Sequence, residues 1–445
     1  MLLFRRLLRR YLKEGTLAVI DPGGHREQYG RGEPRVTIRI HDASWPHRVL
    51  WKPALAIGEG YMDGAYTIEE GGLQALLQLC LRNKRWGRGP WIYRLPAMVE
   101  RFGKRFFELN PMPRARGNVA HHYELSADFF DTFLDSQRQY SCAYFATPED
   151  DLETAQQQKL SHIAAKLCLK PGMTVLDVGC GWGGLGLYLA RRCGARVTGI
   201  TLAQGQLEVA RRAATEAGLS GQVEFRLRDY RQIEEQFDRV VSVGMFEHVG
   251  SNHYRAFFRK VRSCLKPRGI ALVHAIGRAD GPGVTNAWTR KYIFPGGYCP
   301  ALSELIPRVE QEMLFMTDLE ILRLHYAETS RLWLARFSAR RDEIIRSMDE
   351  RFYRMWEFYL ASAEASFRWT GLMVFQLQLA RDIEAVPLTR DYIASAERSL
   401  NAVASNRGVN SVRDFQQPPL GAPESSQRMR PDRCPPRDPG CGGRP

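Results

Sequence analysis

With 445 residues, of which 44% are hydrophobic, 11% aromatic and 25% charged, the chain has the make-up of a globular protein of about two to three domains. Collagen-like, wholly disordered and coiled-coil architectures are excluded, and no apolar run is long enough to read as a transmembrane helix. The net charge of +14 points to nucleic acid, to an anionic membrane surface, or to solubility alone.

In chain order, the opening MLLFRRLLRRYLK breaks its apolar run with Arg5, Arg6, Arg9 and Arg10, so it has no signal-peptide core. Leu3, Phe4, Leu7, Leu8 and Tyr11 instead recur at helical spacing and predict an amphipathic helix with arginines opposite. RVTIRI (35–40) reads as a strand and Leu73–Leu81 as an apolar helix. Residues 82–116 carry ten Lys/Arg against only Glu100 and Glu108, interleaved with Trp86, Trp91, Tyr93, Phe102, Phe106 and Phe107. That mixture suits the headgroup boundary of an anionic bilayer. It also suits single-stranded RNA, or a solvated helix face whose aromatics pack inward. NPMPRARGN (110–118) reads as a linker. The expected organisation is an N-terminal, lipid-associated α+β domain at 1–110, a linker at 111–121, an α/β domain at 122–410, and a disordered, Pro- and Gly-rich tail at 411–445. The nine cysteines are scattered without a C-x-x-C pair, which agrees with a reducing, cytoplasmic setting.

From Val175 the pattern alternates. TVLDVG (174–179), ARVTGIT (195–201), VEFRLRD (223–229), RVVSVGM (239–245) and IALVHAIG (270–277) are short apolar runs separated by helical segments, which predicts a parallel α/β sheet with helices on both faces. The sharpest motif is VLDVGCGWGGLGLYLA (175–190). A buried strand ends in Asp177, and Gly179, Gly181, Gly183 and Gly184 turn the chain into a helix. Glycines there admit positive φ and close approach of a ligand. A dinucleotide site would place an acid some twenty residues later, but position 201, after the second strand, is Thr. The acid before the glycines suits a cationic ligand better than a diphosphate.

This turn resembles the first motif of class I methyltransferases, which bind S-adenosylmethionine in a Rossmann-like sheet. Asp229 stands where that family contacts adenine, with Tyr230 beside it. Longer phrases narrow the likeness: HYELSADFFDTFLDSQRQYSCAYF (122–145), GITLAQGQ (199–206), VSVGMFEHVG (241–250), KYIFPGGYCP (291–300) and LHYAETSRLW (324–333) resemble the cyclopropane-fatty-acyl-phospholipid synthases and the mycolic acid cyclopropane synthases. GEGYMDGAY (58–66) resembles the accessory domain of the former. Glu124, Ser126 and Ala127 depart from the family's commoner wording.

The resemblance implies methyl transfer to a cis double bond of a phospholipid acyl chain, with bound bicarbonate as base and no metal. Its holders would be Glu247, His274, Tyr326 and the backbone N–H groups of Cys142 and Ile276. Glu247 would accept the bicarbonate proton or orient His274, while His248 is read as structural. Tyr140, Ser141, Thr201 and Gln206 match cofactor-contacting positions, alongside Asp177, Gly179 and Gly181. Cys142 reads as a small packed side chain rather than a thiolate, because no basic residue adjoins it in sequence. The implied partner is a phospholipid bilayer with unsaturated chains at the inner face of the cell membrane, without nucleic acid; a homodimer is left open. Rival readings are a relative giving a methyl-branched, methylene or further unsaturated chain, and an RNA methyltransferase or binding module.

Overall fold

Two sheets organise the residues that the computed structural model describes, 1–84 and 125–406. The linker at 111–121, most of the basic aromatic stretch and the tail from 411 lie outside the described residues.

The smaller sheet joins β1 (Gly15–Ile20), β2 (Arg26–Arg31), β3 (Arg35–Ile40) and β4 (Tyr66–Glu70) in the order β2-β1-β3-β4. β1 runs parallel to β3, and the two outer pairs are antiparallel. Only β3 is among the strands expected from the sequence; the edge strand β2 leaves little pattern because it buries little besides Tyr29, whereas the fully buried β1 is an apolar run that the sequence reading passed over. The opening helix, Leu2–Tyr11, forms as expected, but its apolar stripe is narrower. Phe4 and Leu8 are buried, with Phe4 edge-on to Trp45, while Leu3 stays 65% exposed. Nor are all its arginines simply solvated: Arg5 donates to Asp21 at 2.9 Å and Arg9 to Glu27 at 2.7 Å.

The larger sheet contains β5 (Thr174–Val178), β6 (Arg196–Thr201), β7 (Val223–Leu227), β8 (Phe237–Val243), β9 (Leu265–Arg278), β10 (Phe315–Ile321) and β11 (Leu372–Ala380), ordered β10-β11-β9-β8-β5-β6-β7. The five strands expected from the sequence are present and mutually parallel. The expectation of a parallel sheet needs correcting at one side, where β11 runs antiparallel to both β9 and β10. Chain order reverses between β5 and β8, and such a switch point opens a crevice beyond the carboxyl ends of the strands.

GEGYMDGAY docks the small sheet onto the large unit. At Gly58 an added Cβ would come within 2.5 Å of Trp288, so only glycine allows that indole to pack there. Trp288 Nε1 donates to Met62 Sδ, and Glu59 accepts from Lys291 at 2.7 Å and Tyr292 at 2.8 Å.

Candidate active site

The glycine turn sits at the switch point. Gly179 and Gly181 have φ of +86° and +54°, a region that favours glycine, and the Gly179 and Cys180 N–H groups both donate to the Ile200 carbonyl. A Cβ at Gly179 would meet Met245 at 2.8 Å, whereas one at Gly181 would meet nothing within 4 Å. Gly181 therefore faces open space. Gly183 has a different reason: a Cβ there would strike the Phe225 ring at 2.6 Å, so it serves helix–sheet packing.

Tyr140, Ser141, Asp177, Gly179, Gly181, Thr201, Gln206, Asp229 and Tyr230 all line one cavity at these strand ends. Asp177 is 1% exposed, its Oδ2 has no hydrogen-bond partner, and burial pushes its carboxyl up to about 7. Such an acceptor fits a ligand that brings a donor or a positive charge. Thr201 donates its hydroxyl to Gln206 Oε1 at 3.0 Å, which leaves the Gln206 amide as a donor. Asp229 is already engaged: Arg231 donates to both its oxygens at 2.8 and 2.6 Å. It shapes the turn after β7 as well as the cavity wall.

The Gln139–Ser141 wall is fastened from beneath by the helix Leu152–Lys166, which starts on an Asp151 side chain accepting from Thr154 N–H. Gln156 Nε2 donates to the Gln139 and Ser141 carbonyls, both at 3.1 Å. Lys159 Nζ donates to Gln139 Oε1 at 2.7 Å and Ser141 Oγ at 2.9 Å. Lys159 is fully buried, which pulls its ammonium down to about 8, while Asp135, Cys142 and Asp177 act to hold it up. Asp135 in turn accepts from the Gln137 and Gln139 backbone N–H groups. Arg138, in this same loop, adopts φ +51° and is clasped by Asp131.

The five residues named for the chemistry lie beside the cavity rather than on its wall. Glu247 is 8% exposed, and burial pushes its carboxyl up to about 7. Its Oε1 accepts the Ile276 N–H at 2.7 Å and its Oε2 has no partner. The Ile276 N–H is thus spent on Glu247 instead of standing free for an anion. His274 is paired with Val243 in register and buried, which holds its imidazole well below the usual range. Its Nδ1 lies 3.2 Å from Gln376 Nε2, so Gln376 and not Glu247 orients the ring. Tyr326 packs against Phe367 and Trp333, with ring centroids 4.7 and 5.7 Å away. Cys142 and Tyr326 share one buried cluster, against which Ile276 also packs. Burial pushes the Cys142 thiol up, and its Sγ donates to the Ala143 carbonyl at 3.3 Å.

Sequence reasoning missed part of this site. His248, read as structural, lines the cavity, and burial pulls its imidazole down to about 4. Trp182, Gln139, Pro295 and Gly296 also line it. Lys159 and Gln156 were detectable in principle, since they share a helix face with the buried Leu152, Ala155 and Ile163. Polar residues in register with core positions need internal partners.

Comparison with known proteins agrees with this geometry. A family model described as mycolic acid cyclopropane synthetase matches residues 112–377, and one described as a domain of unknown function (DUF7884) matches residues 4–86. The cyclopropane-fatty-acyl-phospholipid synthase of Escherichia coli (strain K12) is 38% identical over 353 residues, covering 79% of this chain and 90% of that protein. The tuberculostearic acid methyltransferase UfaA1 of Mycobacterium tuberculosis is 35% identical over 400 residues, covering 85% of this chain and 90% of its own. A crystal structure of the mycolic acid cyclopropane synthase CmaA1 complexed with SAH and CTAB is 32% identical, with a TM-score of 0.58, covering 61% of this chain and 99% of that one. The chain belongs to the mycolic acid cyclopropane synthetase family, enzymes that depend on S-adenosylmethionine and fall in the methyltransferase class.

Proposed function

We propose that the enzyme adds a methyl group to the cis double bond of an unsaturated phospholipid acyl chain and closes a cyclopropane ring by removing one proton. S-adenosylmethionine, when bound, supplies an electrophilic methyl group. The orphan Asp177 Oδ2, the open space at Gly181 and the donors at Gln206 and Ser141 fit its amino-acid and ribose ends. An alkene is a poor nucleophile, so the protein must contribute positioning, exclusion of water and shelter for positive charge on the chain. Tyr326, Trp333, Phe367 and the hydrogen-bonded pair Tyr140 and Tyr359 supply aromatic faces next to the cavity. Such faces stabilise a cation without supplying a nucleophile.

The observation that carries the reading is Glu247. It is a carboxyl pushed up to about 7 by burial, fixed at one oxygen by Ile276, which packs against this aromatic cluster, and unpartnered at the other. Oε2 fits the hydroxyl of a bicarbonate ion, whose other oxygens His274 and Tyr326 would hold; bicarbonate, when bound, supplies a base. The Ile276 N–H then positions Glu247. Purified enzyme, cofactor and vesicles of unsaturated phospholipid test the reading: a gain of one CH2 per unsaturated chain supports it, and no change in lipid mass refutes it. Rates that ignore removal and restoration of bicarbonate would remove that ion from the account.

A second reading, a methyl-branched product, is favoured by the likeness to the tuberculostearic acid methyltransferase. For lipid access we propose peripheral docking on the anionic inner face of the cell membrane. Leu2 and Leu3 are 84% and 65% exposed beside exposed Arg6 and Arg10, and no described helix is long and apolar enough to cross a membrane. Binding to anionic vesicles should weaken as salt rises.

A further inference from the structure

The fully buried Lys159 touches no part of the proposed chemistry, yet it sets the polarity of the cavity wall. An ammonium group only donates, so every partner of Lys159 Nζ must turn an acceptor toward it. At Gln139 this fixes Oε1 inward, which turns the amide nitrogen toward the start of the helix Gly184–Cys193, where a Cβ on Gly184 would collide with it. At Ser141 it occupies a lone pair of Oγ and leaves the hydroxyl hydrogen for the cavity that Ser141 lines. Gln156 meanwhile takes up the Gln139 and Ser141 carbonyls, so neither of these two is left as a competing acceptor beside the Gln139 amide and the Ser141 hydroxyl. The Gln139 and Ser141 side chains therefore present donors. Across the glycine turn, Asp177 presents an unpartnered acceptor. A donor face beside an acid is complementary to a carboxylate beside an ammonium, the two ends of an amino-acid zwitterion.

We infer that Lys159 is a positioning residue that makes the Gln139–Ser141 wall a receptor for the α-carboxylate of the cofactor's methionine moiety. It acts through Ser141 and Gln139, without touching the cofactor. The inference rests on the cofactor assignment of this cavity and adds to it the residue that tells one ligand end from the other.

Two ligands separate this role from a merely structural one. S-adenosylhomocysteine carries the amino-acid end, and 5′-methylthioadenosine shares the nucleoside and sulfur but lacks that end. Calorimetry on the full chain should show Lys159→Met weakening S-adenosylhomocysteine at least ~10-fold while methylthioadenosine changes less than ~2-fold, so that the preference between them collapses. Ser141→Ala, which leaves the buried lysine in place and holds the fold if Lys159→Met does not, should lower the same preference in the same direction. Equal losses for both ligands in Lys159→Met, or an unchanged preference in Ser141→Ala, would overturn the inference while leaving the cofactor site intact. Failure of the unmodified enzyme to prefer S-adenosylhomocysteine would overturn the cofactor assignment and the inference with it.

Discussion

Asp177 and Glu247 are two buried acids near the carboxyl ends of adjacent strands, and their surroundings differ in one decisive way. Both are pushed up to about 7 by burial, and each keeps one oxygen without a partner. Asp177 feels the Lys159 ammonium and lines the cofactor cavity. Glu247 is tied to the backbone N–H of Ile276, which packs against the aromatic cluster, and does not line that cavity. The first acid is placed to be ionised by an incoming cation. On the proposed reading the second takes up and passes on a proton. In the proposed function similar titration would serve binding in one place and chemistry in the other, with the neighbours deciding which.

The largest expected effect comes from Glu247→Gln, which keeps the shape but removes the proton acceptor. Turnover on unsaturated phospholipid should drop by about 10²–10⁴-fold, the usual range for a lost acid–base group, with calorimetric affinity for S-adenosylhomocysteine within about twofold. A loss in affinity matching the loss in turnover would merge the two acids into one role. Asp177→Ala should do the reverse at the binding step, weakening S-adenosylhomocysteine at least ~10-fold, about 1.4 kcal/mol. Unchanged affinity in a folded variant would remove Asp177 from the site.

A pH series sharpens the contrast further. The free Asp177 carboxyl sits at about 7. A ligand ammonium favours its ionised form, so affinity should weaken as pH falls through this value, approaching about tenfold per unit, while any loss above about 8 belongs to Lys159. Asp135 titrates at about 6 in the same window, so Asp177→Asn is the control that must flatten the slope. A slope that persists in this variant belongs to another group. The smallest effect is expected at Cys142→Ser, because the thiol is buried and protonated and donates only to a neighbouring carbonyl. A dead Cys142→Ser beside a nearly normal Glu247→Gln would reinstate a thiolate.

How much was legible before the fold was in view follows a physical line. The five parallel strands could be read because each is a short apolar run bounded by turns, and the glycine turn because positive φ leaves a mark in sequence. β11 escaped because Gln376 and Gln378 interrupt its apolar residues although both are fully buried. Their partners, His274 for the first and the Lys166 carbonyl and Tyr392 for the second, come from other segments. Lys159 escaped for the same reason, since its acceptors lie 18 and 20 residues away on a loop with no regular pattern. The pairing of Glu247 with the Ile276 N–H spans 29 residues, and only the β8–β9 register brings the two together. Local patterning shows which residues are apolar or strained, whereas polar partnership across strands is a property of the packed molecule.

The most direct measurement of the central claim, ring closure on an acyl double bond, uses cofactor whose transferable methyl is fully deuterated. Phospholipid vesicles are incubated with enzyme and labelled cofactor, and the modified acyl chains are weighed by mass spectrometry. Closure by removal of a proton from the added methyl leaves two of the three deuterons on each modified chain and no carbon–carbon double bond by proton NMR, and this is the expected result; two deuterons on a chain that is still unsaturated would mark a methylene product and contradict ring closure. Chains that retain all three would show that the proton leaves from the acyl chain instead, which would contradict cyclopropane formation and establish a methyl-branched chain that keeps a double bond.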